Sequence, residues 1–245
     1  MEIKDNGFVL SLQRSQEASG IVKIFSEKHG VCRGFVKNIA SKANSNLFFP
    51  GNLVEFTWSA RLSEQVGTIR AELVKAFSSI LMLNYVTLLS VSSIFSLIEI
   101  LFREREHVGE MYDRISLYLE DIIKDGFNFR KYIEFEFFLL AKAGYSLDFT
   151  KCAVTGQEHE LKFLSPKSGR AVSSEAAKPY QDKLLKLPSF LADSQTNDIS
   201  PEDMIDALKI SSYFFERYIF SHVHNKDILK HRENFILYLT SRYKS

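Results

Sequence analysis

Over residues 7–77 apolar and polar positions alternate with a period of two, in five runs at 7–13, 20–26, 31–38, 52–58 and 66–77. This alternation predicts half-buried strands, because successive side chains of an extended chain point to opposite faces. Turn formers separate the runs: residues 26–30 make a hairpin loop, and Pro50-Gly51-Asn52 and Ser63-Glu64-Gln65 supply later reversals. Five antiparallel strands in so short a span predict a small barrel, of which the OB-fold is one kind that binds oligonucleotides on a strand face.

Past residue 77 the period lengthens to that of a helix. Residues 76–98 carry no charge, and that length could cross a bilayer. Ser78, Ser79, Asn84, Thr87, Ser90, Ser92, Ser93 and Ser96 interrupt it, so it reads as a buried helix of a helical core. Helices follow at 109–124 and 128–143, where Lys142 in the last turn and Gly144 beyond it form a stop. Between 145 and 197 the pattern breaks into turns, and residues 161–164 and 170–173 flank Ser165-Pro166-Lys167-Ser168-Gly169 as a small hairpin. Ser200-Pro201-Glu202-Asp203 reads as an N-cap, a proline at the first helical position and acids in the first turn. Met204, Leu208, Ser211, Phe215, Tyr218 and His222 continue at helical spacing, and a last helix spans about 227–243. The fold expected is α+β: a five-stranded barrel over 1–78, then an α-helical domain over 79–245 carrying a β-hairpin insertion at about 148–178.

The chain of 245 residues is 45% hydrophobic and 25% charged, which is a globular composition. Its net charge of +1 lacks the strong basic excess of many nucleic-acid binders. The charge is unevenly placed: residues 1–80 hold ten Lys/Arg against seven Asp/Glu, and Lys28, Arg33, Lys37 and Lys42 fall in a stretch without an acid. The first residues lack the basic start and apolar run of a secretory signal, and only Cys32 and Cys152 are available for a disulfide. A cytoplasmic protein is the expectation.

Arg33, Phe35 and Lys37 sit two apart in a predicted strand and so share one face, with Cys32, Gly34 and Val36 on the other. Lys23 and Phe25 line up in the same way on the preceding run, opposite Val22 and Ile24. Cations with a ring between them suit single-stranded nucleic acid, since the charges replace counterions on phosphates and the ring stacks on any base. An ordinary hairpin with solvated charges has the same pattern.

The chain resembles the RecO family of bacterial recombination mediators. The resemblance rests on residues 29–37 (His-Gly-Val-Cys-Arg-Gly-Phe-Val-Lys), Ser41-Lys42, Pro50-Gly51-Asn52-Leu53-Val54-Glu55, residues 139–148 ending Gly144-Tyr145-Ser146-Leu147-Asp148, Cys152-Ala153-Val154-Thr155-Gly156, and residues 165–173. It implies an N-terminal OB-fold followed by a helical domain, and a non-enzymatic protein that binds single-stranded and double-stranded DNA, anneals complementary strands and helps load RecA onto DNA coated by the single-strand-binding protein SSB. It also implies RecR and the SSB C-terminal tail as partners, no cofactor, and a cytoplasmic protein at the nucleoid during repair. On this chain the implied DNA contacts are Lys23, Lys28, Arg33, Phe35, Lys37 and Lys42. Arg217, Tyr218, Lys226, Lys230 and Arg232 are the implied receptor for the tail. Many relatives carry arginines where this chain has Val31 and Ala40, which predicts weaker binding. Some relatives hold zinc with four cysteines; here Cys152 stands alone, with Thr155, Ser173 and Ala176 at the other places, so no metal is expected. Two other functions fit the pattern: an adaptor with little DNA binding of its own, and an OB-fold RNA-binding protein.

Other chemistry is weakly supported. His222-Val223-His224 points two side chains in different directions on a helix, with no close Cys or Glu to complete a metal set. No Gly-rich phosphate loop, nucleophile elbow or paired-carboxylate motif is evident. Cys32, on an apolar strand face, reads as a structural thiol.

Overall fold

The computed structural model describes residues 1–15, 18–41, 44, 46–62, 65–193, 196 and 198–243, with the side chain of residue 243 excepted. Five strands, β1 (Glu2–Arg14), β2 (Gly20–Ser26), β3 (Gly30–Val36), β4 (Leu53–Ser59) and β5 (Gly67–Lys75), close into a barrel in the order β1-β2-β3-β5-β4. A small barrel of five strands is the architecture of an OB-fold. β1 starts at Glu2 rather than Gly7: its first half pairs with β4, from Glu2 opposite Ser59 to Phe8 opposite Leu53. Its second half, from Gly7 on, pairs with β2, with a bulge between Val9 and Ser11. One bent strand thus serves two sides of the barrel, which a bulge makes possible.

The barrel interior is filled by alternate residues, including Val22, Ile24, Cys32, Val36, Val54, Phe56, Trp58 and Ile69. The expected placement of Val22 and Ile24 opposite Lys23 and Phe25 holds, but Phe25 is covered on that outer side. It is buried and meets Phe102 edge-on, at 6.4 Å between ring centroids. Phe8 likewise points out of the barrel and is buried against Phe77 and Tyr112.

The uncharged stretch forms two helices, α1 (Phe77–Leu81) and α2 (Tyr85–Leu101), rather than one. The first ends at a C-cap on Met82, and Asn84 caps the second, its side chain accepting from the Val86 N–H at 3.1 Å. The serines are compatible with burial because their hydroxyls bond back to the helix: Ser90 donates to the Thr87 carbonyl (2.8 Å) and Ser96 to that of Ser93 (2.7 Å). No helix among the described residues is long and apolar enough to cross a membrane. Helix α3 (Met111–Asp125) completes the first compact unit, which comprises residues 1–128 with 227–235.

The second unit comprises 129–226 with 236–245. In it α4 (Phe129–Lys142) is followed by β6 (Leu161–Leu164) and β7 (Ala171–Ser173), the hairpin anticipated from the sequence. Short helices α5 (Ser174–Ala177) and α6 (Ser189–Ala192) flank β8 (Leu185–Lys186), which adds an unanticipated third strand along β6. Helix α7 (Pro201–Tyr218) begins with a full capping box, Ser200 and Asp203 each satisfying the other's backbone N–H. Helix α8 (Lys230–Tyr243) has its residues divided between the two units.

Candidate nucleic-acid interface

The outer face of β2 and β3 is set by their register: Ile21 lies opposite Phe35, and Lys23 opposite Arg33. Position 34 alternates inward between these residues and is glycine because a Cβ there would press on Ile69 and approach the Gly67 carbonyl to 2.9 Å. Phe35 is 43% exposed, unusual for a phenylalanine in a strand. Lys37, just past the strand, is exposed and makes no ion pair with a described residue.

Two like charges directly opposite each other destabilise a strand pair, and here each is met by a carboxylate from further along the chain. Lys23 Nζ lies 2.7 Å from Oε2 of Glu99, which is 6% exposed at the end of α2. Arg33 Nε lies 2.8 Å from Oε1 of Glu104, a contact without hydrogen-bond alignment. The segment that brings Glu104 is fastened to β3: the Arg105 N–H donates to the Val31 carbonyl at 2.9 Å, and Arg105 sets its guanidinium 4.0 Å over the Trp58 ring. Gly30 permits this approach. Its φ is +65°, and a Cβ there would sit 1.9 Å from the Glu106 carbonyl oxygen.

At the hairpin turn, buried Asp5 accepts from the Ser26 hydroxyl (2.5 Å) and the Lys28 N–H (2.9 Å). Lys28 Nζ is 3.9 Å from Asp5 and otherwise in solvent. Lys42 lies outside the described residues, as do Ser63 and Glu64 of the predicted turn. The structure therefore groups Lys23, Arg33, Phe35 and Lys37 on one outer surface, with Lys28 at the hairpin turn, and ties two of the cations to acids. The only sequence signal for those acids was that Glu99 is the first charge after a long uncharged stretch.

In the second unit Arg217 is exposed on α7, its guanidinium 5.8 Å from the Tyr213 ring centre and 5.4 Å from that of Tyr218. Tyr218 stacks on Tyr145 at 4.3 Å. Lys226 is exposed. In the first unit Lys230 pairs with Asp227 at 2.6 Å, and Arg232 is buried at 4% exposure.

The remnant of the four-cysteine pattern does not fit zinc. Cys152 Sγ is surrounded by donors rather than thiolates: the backbone N–H groups of Ser173 (3.3 Å) and Thr155 (3.5 Å) point at it, and the Ser173 hydroxyl is 3.5 Å away. Burial pushes this thiol up, but the hydrogen bonds from Ser173 and Thr155 outweigh it and bring the pKa to about 6. Cys32, inside the barrel, is driven by burial to about 11, the behaviour of an inert structural thiol. Among the described residues no group of three or more His, Cys, Asp or Glu side chains could hold a metal ion.

The chain matches two family models, Recombination protein O N terminal over residues 1–77 and Recombination protein O C terminal over 82–227. It is 40% identical over 243 residues to the DNA repair protein RecO of Rickettsia conorii, covering 99% of this chain and 100% of the relative. It is 41% identical over 242 residues to that of Rickettsia bellii (99% and 98%), and 41% identical over 239 residues to that of Rickettsia akari (98% and 98%).

Proposed function

This chain belongs to the RecO family of DNA repair proteins, and from that premise we propose that it is a non-enzymatic mediator that binds DNA through its barrel and anneals complementary single strands. The observation that carries the proposal is the exposed Phe35 ring between Arg33 and Lys37 on the outer face of β3. Phosphate contacts hold a strand without reading its sequence, and stacking is equally tolerant, so base pairing between strands can supply the specificity. In this role the protein acts at the nucleoid, helps load RecA onto DNA coated by SSB, and has RecR and the SSB tail as partners.

The adaptor reading is favoured by one observation, the capture of Lys23 and Arg33 by Glu99 and Glu104. Titrating the protein with single-stranded DNA, duplex DNA and single-stranded RNA over a salt series, alongside strand annealing, separates the readings. Phe35→Ala is expected to weaken single-stranded DNA by about 1 to 3 kcal/mol at an unchanged salt slope and to slow annealing, with a smaller effect on duplex. Its melting temperature should stay near that of the wild type. A uniform loss for every ligand together with a lower melting temperature would assign Phe35 to packing, and preferential RNA binding would favour the third reading.

A further inference from the structure

We infer that the phosphate backbone of a bound single strand runs through a crevice between β3 and β5, gripped by Lys37 and Arg70, rather than along the Lys23–Arg33 row. This inference rests on the DNA-binding reading above and names where on the barrel it takes place.

β3 and β5 are neighbours in the closed barrel but pair only at Gly34–Gly67 and Phe35–Thr68. Beyond those two rungs the strands diverge and leave a crevice of about 470 Å³. Its floor includes Val36 and Ile69, interior residues of the barrel, and its rim carries Lys37, Ser59, Thr68 and Arg70. Arg70 is exposed on β5, opposite Thr57 of β4, and makes no ion pair with a described residue. Lys37 is in the same condition on the other rim.

Charge decides between the two routes. A cation already paired with a carboxylate must release it before it can neutralise a phosphate, so Lys23 and Arg33 gain less from a strand than Lys37 and Arg70 do. The nearest acid on the outer face of β5, Glu72, lies one step beyond Arg70, opposite Glu55, whose charge is taken by Lys4 at 3.1 Å. The hydroxyls of Ser59 and Thr68 add uncharged donors of the kind that commonly contact phosphate oxygens. The crevice also adjoins an exposed ring. Phe35 is the rung partner of Thr68, so a strand held by phosphates in the crevice has its bases beside Phe35. A crevice with cations on both rims and a ring at one edge suits a single strand, which can turn its bases toward the ring, better than a duplex with its bases stacked inside.

The test is the salt dependence of binding to a labelled oligothymidylate, read by fluorescence anisotropy. Arg70→Gln should lower the log–log slope by about 0.7, the value for one contact on a single strand, and Arg70→Gln with Lys37→Gln by about twice that. Arg70→Lys should keep the slope. Thr68→Lys adds a cation to the rim and should steepen it by about 0.7, a gain that no misfolded protein would give. An unchanged slope in Arg70→Gln while Arg33→Ala flattens it overturns the crevice route and leaves DNA binding by the barrel intact. A wild-type protein that binds no strand overturns the DNA-binding reading, and the crevice with it.

Discussion

A single thiol shows how much one residue's surroundings can alter its chemistry. Cys152 is held among N–H and hydroxyl donors that favour its thiolate, with a pKa of about 6 against 9.0 for an unperturbed thiol. A pKa lowered in the folded state contributes stability that is complete above the unfolded value and disappears as pH falls through the folded one. Cys152→Ala is therefore expected to lower the melting temperature more at pH 8.5 than at pH 5.5, where only the packing loss remains; an equal loss at both pH values would mean that the thiol is neutral. This role was not legible in the sequence. Cys152 could be recognised there as the lone survivor of a metal pattern, but the Ser173 N–H that replaces a metal bond comes from a strand 21 residues away. Phe35 was legible, since period-two alternation alone places it opposite Gly34 and Val36. Phe25 has the same alternation and does lie on the outer side with Lys23, but its burial there was not legible, because what covers it is Phe102, far along the chain.

Elements whose signals are local were read nearly to the residue: β2, the start of α7 at its Ser200–Asp203 box, and α4 with its Lys142–Gly144 stop. Those set by distant partners were not. The first half of β1 pairs only with β4, and the two residues of β8 are a strand only because β6 lies beside them. The acids over the β2–β3 face belong to this second kind, and they give an element-scale prediction. Glu104→Gln removes the charge that holds Arg33 while leaving a side chain of the same size, and Glu104 is exposed enough that the fold should tolerate it. Because the backbone is placed in the β3–β5 crevice, freeing Arg33 should leave the single-strand salt slope near that of the wild type; a slope steeper by about 0.7 would put Arg33 on the strand's path. The β6–β7 hairpin gives another. Its strands are held by ladder hydrogen bonds and by the Cys152 contacts to Ser173, so the protein should carry no stoichiometric zinc by elemental analysis and keep its melting temperature in chelator. About one zinc per chain, with unfolding on chelation, would contradict the donor arrangement described for Cys152.

At the scale of the whole molecule, the proposed mediator role would give the chain two different ligands to handle: a bare strand, and the protein that covers it. With a net charge of +1 the chain has little overall field to attract either one, so recognition must come from local constellations. For the proposed partner, the acidic and hydrophobic SSB tail, the second unit offers Arg217 with its guanidinium over the rings of Tyr213 and Tyr218, and Tyr218 stacked in turn on Tyr145. A cation lying on aromatic faces can meet a terminal carboxylate while the rings meet apolar side chains. Arg232 was an equal candidate in the sequence, because a helix of mixed charge does not reveal which of its cations turns inward; at 4% exposure it is poorly placed for a peptide. The informative substitution is Arg217→Ala. It removes an exposed side chain, so the melting temperature should hold, while affinity for a synthetic SSB-tail peptide should fall about tenfold, the equivalent of about 1.4 kcal/mol for a lost charged hydrogen bond. Arg217→Lys should recover only part, because an ammonium keeps the charge but not the planar fork that stacks on tyrosine. Single-stranded DNA affinity should be unaffected by either change. If peptide affinity were unaltered in Arg217→Ala, the tail would have to dock away from the α7 tyrosines; if DNA affinity fell with it, the two ligands would share a surface and the division of labour between the barrel and the helical half would be lost.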